Sequence, residues 1–431
     1  MGQSNPSRKK KQNGFVRAFF ADGAPDVMFF AIVLILVTLG LVAMYSASYP
    51  YAYAHEDGDS FHYVRRQLLF VGIGLAAMLA VSFVRYQRIE FIGAYGGLAV
   101  SLVLLVLVLL MPANEDGEIR RRMTLFGVDF QPSEIAKFGL ILFCAYIISI
   151  FYEDLIGKNP LQYKWAKRIN AFFRMPLMNR SLIPILICGF VTVVFAALVY
   201  LESHLSGTII IGLLGLGMLW FGGTRKKWFF CGFILIAIAF FILYNYTDFF
   251  RDYMMERIDL WRNKDADPLG GRWQTNQALY AIGSGGFFGT GIGGSKQKHL
   301  YVSEPQNDMI FAIFCEETGV IGAFALILLF VLLIWRGIVI AINAPDRYGM
   351  LLTLGIMLQI GSQVFLNLCV ATDSMPNTGI SLPFFSYGGT SLLMLLGEMG
   401  IVLSVSRQSK LKNKEKATDK TRAKSKQEER A

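Results

Sequence analysis

Residues 27–49 read VMFFAIVLILVTLGLVAMYSASY, an apolar run of the length that crosses a bilayer as one helix. Comparable runs recur at about 67–84, 90–111, 132–152, 182–201, 206–222, 228–246, 308–335, 349–371 and 384–405. In a chain of 431 residues that is 54% hydrophobic and only 17% charged, this recurrence predicts an all-α polytopic membrane protein with ten transmembrane helices. Residues 2–13 are polar and basic, and the run that follows is too long for a cleaved signal, so it reads as an anchor.

The net charge of +10 would suit nucleic acid, but its distribution does not. Basic residues gather at 8–11, at Arg85 and Arg88, along 158–180, at Arg225-Lys226-Lys227, at Arg336 and Arg347, and beyond Arg407. If every run spans, these clusters fall on one side, which is the positive-inside pattern. Both termini are then cytoplasmic, and no nucleic-acid partner is expected. The organisation that follows is a basic segment 1–26, a membrane domain 27–407 and a tail 408–431, so poor in apolar residues that disorder is expected. The linker 153–180, basic with interleaved aromatics, is expected along the anionic inner leaflet. All five cysteines lie in apolar runs without paired spacing and read as small hydrophobes; the four histidines form no metal pattern.

One connection is far longer than it needs to be: residues 247–307, an extracellular loop between helices seven and eight. Its end and the following helix read AIGSGGFFGTGIGGSKQKHLYVSEPQNDMIFAIFCEETGVIG over 281–322, with Asp308 where the glycine-rich part meets the apolar run. A carboxylate there is expected in the first helical turn, at the positive end of the helix dipole. Asn307-Asp308 equally reads as an ordinary helix cap. GTGIGGSK over 289–296 lacks the order of a nucleotide loop and follows no strand, though its backbone could cradle another phosphate. Charges inside spans are functional candidates. Glu134 and Lys137 share a face of helix four, either as a local ion pair or with the lysine placed to meet an anion from outside. Glu316 and Glu317 are expected to pair with positive groups, and Glu398, mid-span in helix ten, needs a partner elsewhere. No Ser/His/Asp set is evident.

Several of these residues stand in ordered motifs: Tyr45-Ser46-Ala47-Ser48; Phe130-Gln131-Pro132-Ser133-Glu134-Ile135-Ala136-Lys137; Asp267-Pro268 to Gln274 followed by Gln277 to Gly289; Asn307-Asp308-Met309-Ile310-Phe311 to Gly319; and Gly379-Ile380-Ser381-Leu382-Pro383 with Ser386-Tyr387-Gly388-Gly389-Thr390-Ser391. Together they resemble the SEDS family (shape, elongation, division, sporulation) of FtsW, RodA and SpoVE, over roughly 26–407. The run 291–298 is more similar to the FtsW branch. The resemblance implies a peptidoglycan glycosyltransferase of the bacterial cytoplasmic membrane that polymerises lipid II at the outer face and releases undecaprenyl pyrophosphate. It implies a catalytic Asp308, acting as base or holding a divalent cation (Mg2+ or Mn2+), with no cofactor assigned otherwise. Lys137 and Arg257 are implied as pyrophosphate ligands, with Gln131, Ser133 and Glu134 at the pocket mouth and Glu304 close to the aspartate. The implied partners are the growing lipid-linked strand, a single-span class B penicillin-binding protein and other divisome or elongasome proteins, at the septum if the role is division. The chain departs from the family in the placement of Pro305, in Arg122 where a Trp is common, and in 202–208, which lacks the expected aspartate. A lipid-precursor flippase is the competing class; a scaffold that only recruits a transpeptidase is a third.

Overall fold

The computed structural model describes residues 23–111, 123–125, 128–152, 182–202, 204–226, 257–264 and 269–428, with a few further residues such as Ala21 and 228–230; beyond Ser409 only the backbone is described. The basic linker 153–180 and Arg122 lie outside the described residues, as does most of the expected span 228–246.

Apolar runs become helices wherever they are described. In chain order these are α1 (Val27–His55), α2 (His62–Phe83), α3 (Glu90–Leu110), α4 (Pro132–Ile150), α5 (Leu182–Leu201), α6 (Leu205–Phe221), α7 (Trp273–Ser284), α8 (Ile310–Ile342), α9 (Arg347–Ala371) and α10 (Gly389–Glu428). Eight of them are long and apolar enough to span a membrane, and α6 is a shorter apolar helix of 17 residues. α7 lies within the long connection and is too short and polar to span. A hairpin of β1 (Met123–Leu125) and β2 (Val128–Phe130) is the single departure from helix among the described elements, and it leads directly into α4.

The bundle is layered. In α4 78% of the most apolar stretch is buried, against 22% in α3, so α4, α9 and α10 form the interior while α2, α3 and α5 present large apolar side chains outward. That outward surface suits lipid, since the bilayer is no less apolar than a protein core. α10 packs mainly on α2, α4 on α3, and α8 on α9. The α3–α4 contact is close because Gly139 faces Gly97 and Ser101; a Cβ at Gly139 would overlap both.

Element ends differ from the sequence expectation for local reasons. α1 continues through Pro50 to His55, where Tyr51 and His55 stack at 4.1 Å. Membrane helices tolerate such a proline when neighbours satisfy the freed carbonyl. α10 starts at Gly389 rather than 384, because 379–388 form a loop. Its backbone continues as helix to Glu428 where disorder was expected: the tail is rich in Lys, Glu, Ala and Gln, all good helix formers.

One end of the bundle is tied by charge. Asp26 caps α1 through Phe29 N at 3.0 Å, accepts two bonds from Arg336 at 3.0 and 2.7 Å, and its amide donates to Ser406. Asp346 caps α9 and accepts from Tyr86 Oη at 2.7 Å and Gln87 Nε2 at 2.9 Å. Burial, then the Asp346 carboxylate, pushes the Tyr86 phenol well above its ordinary range and keeps it a donor.

Near the other end α8 is broken at Gly319 (φ 67°, ψ −169°), a conformation open essentially to glycine alone. The glycine-rich loop docks on the break: Thr290 N donates to Glu316 O, Gly291 N to Glu317 O, and Val320 N to Gly286 O, all at 2.9–3.0 Å. A Cβ at Gly319 would sit 2.5 Å from both Gly289 N and Phe287 O. Gly319→Ala should therefore destabilise the protein by about 2–3 kcal/mol or more. The check is the thermal midpoint of the purified protein beside Gly283→Ala, where a Cβ meets open space; equal midpoints would refute the strained-break account.

Candidate active site

The site is built where α4, α6, α8, α9 and α10 begin or end around the 379–388 loop. Gln131 leads into Pro132, whose missing N–H costs nothing at the first helical position. One turn on, Lys137 Nζ bonds Glu134 Oε1 at 2.7 Å; the two side chains are 2% and 12% exposed. Lys137 lies about 7 Å below the helix start at 1.5 Å per residue. His204, just before α6, places Nδ1 3.2 Å from Gln131 Nε2 and 3.3 Å from Ser133 Oγ. Ser133 is fully buried, so this contact orients the helix start and exposes no nucleophile.

Asp308 stands one residue ahead of the Met309 N-cap of α8, half-buried, and not in the first helical turn as the sequence suggested. Its position is set by its backbone. Asn367 Nδ2 donates to Asp308 O at 2.8 Å and to Ile380 O at 2.7 Å, stapling the approach to α8 onto the 379–388 loop. Ser386 Oγ donates to Asn307 O at 2.8 Å and Tyr387 N to Gln306 O at 2.8 Å. Gly379 lies so close that a Cβ there would be 3.2 Å from Asp308 Oδ2.

Asp308, Lys137, Glu134, Gln131 and Glu304 all line one cavity of about 560 Å³, together with Arg65, Arg66, His204, Gln359 and Glu398. Ser133 and Arg257 do not line it. Arg257 lies behind the wall, its guanidinium donating to Asn377 O; the Asn377 side chain accepts from Gly379 N at 3.2 Å and bonds Gln274 at 3.1 Å. A second, apolar groove of about 370 Å³ runs between Leu104, Ile135, Leu393 and Met394. It shares Phe130, Gln131, Glu134, Thr390 and Met394 with the polar cavity.

The glycine loop does not cradle a phosphate. Its backbone nest holds a protein carboxylate: Ser295 Oγ, Lys296 N (2.9 Å) and Gln297 N (3.3 Å) donate to Glu316. Lys298 is wholly buried, bonded to Glu317 at 2.7 Å and Ser46 at 3.0 Å, with its charge 4.9 Å from the Tyr49 ring centroid. Both α8 anions that the sequence left seeking partners, Glu316 and Glu317, are thus consumed in fastening the loop to α1 and α8.

Chemically, the cavity combines a carboxylate on a fixed backbone, a buried ammonium, and two arginines at the start of α2. Among the described residues no group of three His, Cys, Asp or Glu is placed to hold a metal ion.

A family model described as "Cell cycle protein" (FtsW, RodA, SpoVE) matches residues 26–411. The chain belongs to the FtsW/RodA/SpoVE family. It is 38% identical to the stage V sporulation protein E of Bacillus subtilis, over 90% of this chain and 98% of that protein. It is 33% identical to a probable peptidoglycan glycosyltransferase FtsW of Trichlorobacter lovleyi, over 90% and 94%. Among solved structures it resembles a chain of a peptidoglycan synthase complex that coordinates polymerisation and crosslinking (TM-score 0.67, 26% identity, 90% of this chain and 98% of that one). It also resembles the Thermus thermophilus rod shape determining protein RodA (TM-score 0.59, 26% identity, 90% and 98%).

As a member of the FtsW/RodA/SpoVE family this is a multi-pass helical membrane protein. Sequence reasoning had not assigned His204, Arg65, Arg66, Gln359 or Glu398 to the cavity. Two adjacent arginines at the head of an apolar run were a signal for the first turn of α2, obscured by starting that helix at 67 rather than at His62. Nothing local marked Gln359.

Proposed function

We propose that this chain polymerises lipid II into glycan strands at the outer face of a bacterial cytoplasmic membrane, as a peptidoglycan glycosyltransferase. The single observation that carries the reading is the shared wall between a polar, charged cavity and an apolar groove. A prenyl-linked sugar needs both at once, with the polar head in one and the chain in the other.

In this reading both termini are cytoplasmic and the cavity faces outward. Asp308 takes the proton from the acceptor sugar's hydroxyl as that oxygen attacks the anomeric carbon of the donor. The bond to prenyl pyrophosphate breaks, and the leaving group departs with its electron pair. A pyrophosphate needs charge stabilisation more than protonation, which falls to Lys137, Arg65 and Arg66. Arg257 supports the 377–379 turn against which Asp308 rests, a change from the direct contact the resemblance implied. If Asp308 instead holds a divalent cation with Glu304, that cation would neutralise phosphate charge and lower the pKa of the attacking hydroxyl. The partner is a single-span class B penicillin-binding protein, which crosslinks the strands, with action at the septum or in shape maintenance.

Purified protein given lipid II and its cognate transpeptidase should produce glycan chains resolved as a ladder by electrophoresis. A flippase is the second reading, favoured by how deep the cavity runs, to Glu398. It predicts no ladder, with translocation of labelled lipid II in proteoliposomes; that pair of results would overturn the polymerase reading.

A further inference from the structure

Glu398 and Gln359 lie at the deep end of the cavity, on α10 and α9, 1% and 2% exposed. At nine residues into α10, Glu398 is about 13 Å below the helix start. Gln359 Nε2 donates to both carboxylate oxygens, at 3.1 and 3.2 Å. The carboxyl oxygens have room to accept further hydrogen bonds, and among the described residues this amide is the donor they meet. Gln359 Oε1 is itself buried with no hydrogen-bond partner. The nearby charges acting on Glu398 are those of Lys137 and Glu134, already bonded to each other.

Apart from Lys137, which bonds Glu134, this end of the cavity presents more side-chain acceptors than donors. Phosphate oxygens belong above this floor, with Lys137 and the arginines. Among the described residues no group of three His, Cys, Asp or Glu gathers there to hold a metal ion. What the floor fits is a neutral group carrying several donors.

We infer that Glu398 and Gln359 form a saccharide subsite, accepting hydrogen bonds from hydroxyl or amide N–H groups of the substrate sugar. The inference rests on the function proposed above and adds the residues that hold the sugar. Removing acceptors from a site built to bond a hydroxyl costs affinity for the sugar. A merely structural pair behaves differently: replacing a buried charge with a well-packed apolar residue is often neutral or stabilising.

The test uses the purified full-length chain with Glu398→Met, Gln359→Met and Glu398→Gln. Thermal midpoints are measured, together with lipid II titrations of polymerisation and the direct binding of fluorescent lipid II. Expected are methionine variants with unchanged or raised midpoints, a KM raised at least about tenfold, worth about 1.4 kcal/mol, and kcat changed less than about threefold. Glu398→Gln, which keeps one acceptor, should fall between. Wild-type KM and wild-type lipid II binding in folded methionine variants would overturn the subsite. Absence of polymer from the wild type would instead remove the polymerase reading. Binding then decides the subsite alone: a tenfold loss supports it and no loss overturns it.

Discussion

Asp308→Asn is expected to abolish practical polymerisation of lipid II, lowering kcat by about 10²–10⁴-fold, the range for loss of a positioned general base. The fold should survive, because the position of residue 308 is set through its carbonyl by Asn367 and through its neighbours' carbonyls by Ser386 and Tyr387. Asparagine keeps the shape and loses only the charge and basicity, so the thermal midpoint should stay within a few degrees of wild type while the ladder disappears. Asp308→Ala should behave alike. Chelation then separates the two roles open to the carboxylate: activity that persists in EDTA identifies a base, and activity lost with EDTA and restored by Mg2+ or Mn2+ identifies a cation ligand. Normal chains from either variant would take Asp308 out of the mechanism.

The sequence carried the spans and the two charges at the centre of the site because both are local signals. An apolar run declares itself by length, and Lys137 by standing in one. What stayed hidden depends on residues far apart in the chain. Ser46 meets Glu317 and Lys298 across some 250 to 270 positions, and no spacing rule reaches that far. The glycine run shows the limit most clearly. Its composition signals backbone close to an anion, and that much holds, but the anion is Glu316 of the same chain. Glu398 was marked as needing a partner, yet only the pairing of α9 with α10 brings Gln359 to it. The helix ends moved for comparable reasons: Pro50 reads as a stop in the sequence, yet α1 runs through it to His55, as membrane helices tolerate.

The Lys137–Glu134 pair allows a sharper test than a single truncation. Lys137→Met leaves Glu134 charged and nearly buried at 12% exposure, and breaking a buried pair in this way costs about 3–5 kcal/mol. The cavity supplies some water to Glu134, so the lower end of that range is expected, together with loss of polymerisation. That loss alone could come from unfolding. The double variant Lys137→Met/Glu134→Gln removes the orphaned charge and should return the thermal midpoint to within a few degrees of wild type. If Lys137 holds pyrophosphate, activity stays down by at least about 10²-fold in the restored protein, because a preorganised ammonium facing a developing phosphate charge is worth several kcal/mol. If the lysine serves only to neutralise Glu134, activity returns with stability. Recovery of glycan ladders in the double variant would assign the leaving group to Arg65 and Arg66 and reduce the pair to packing.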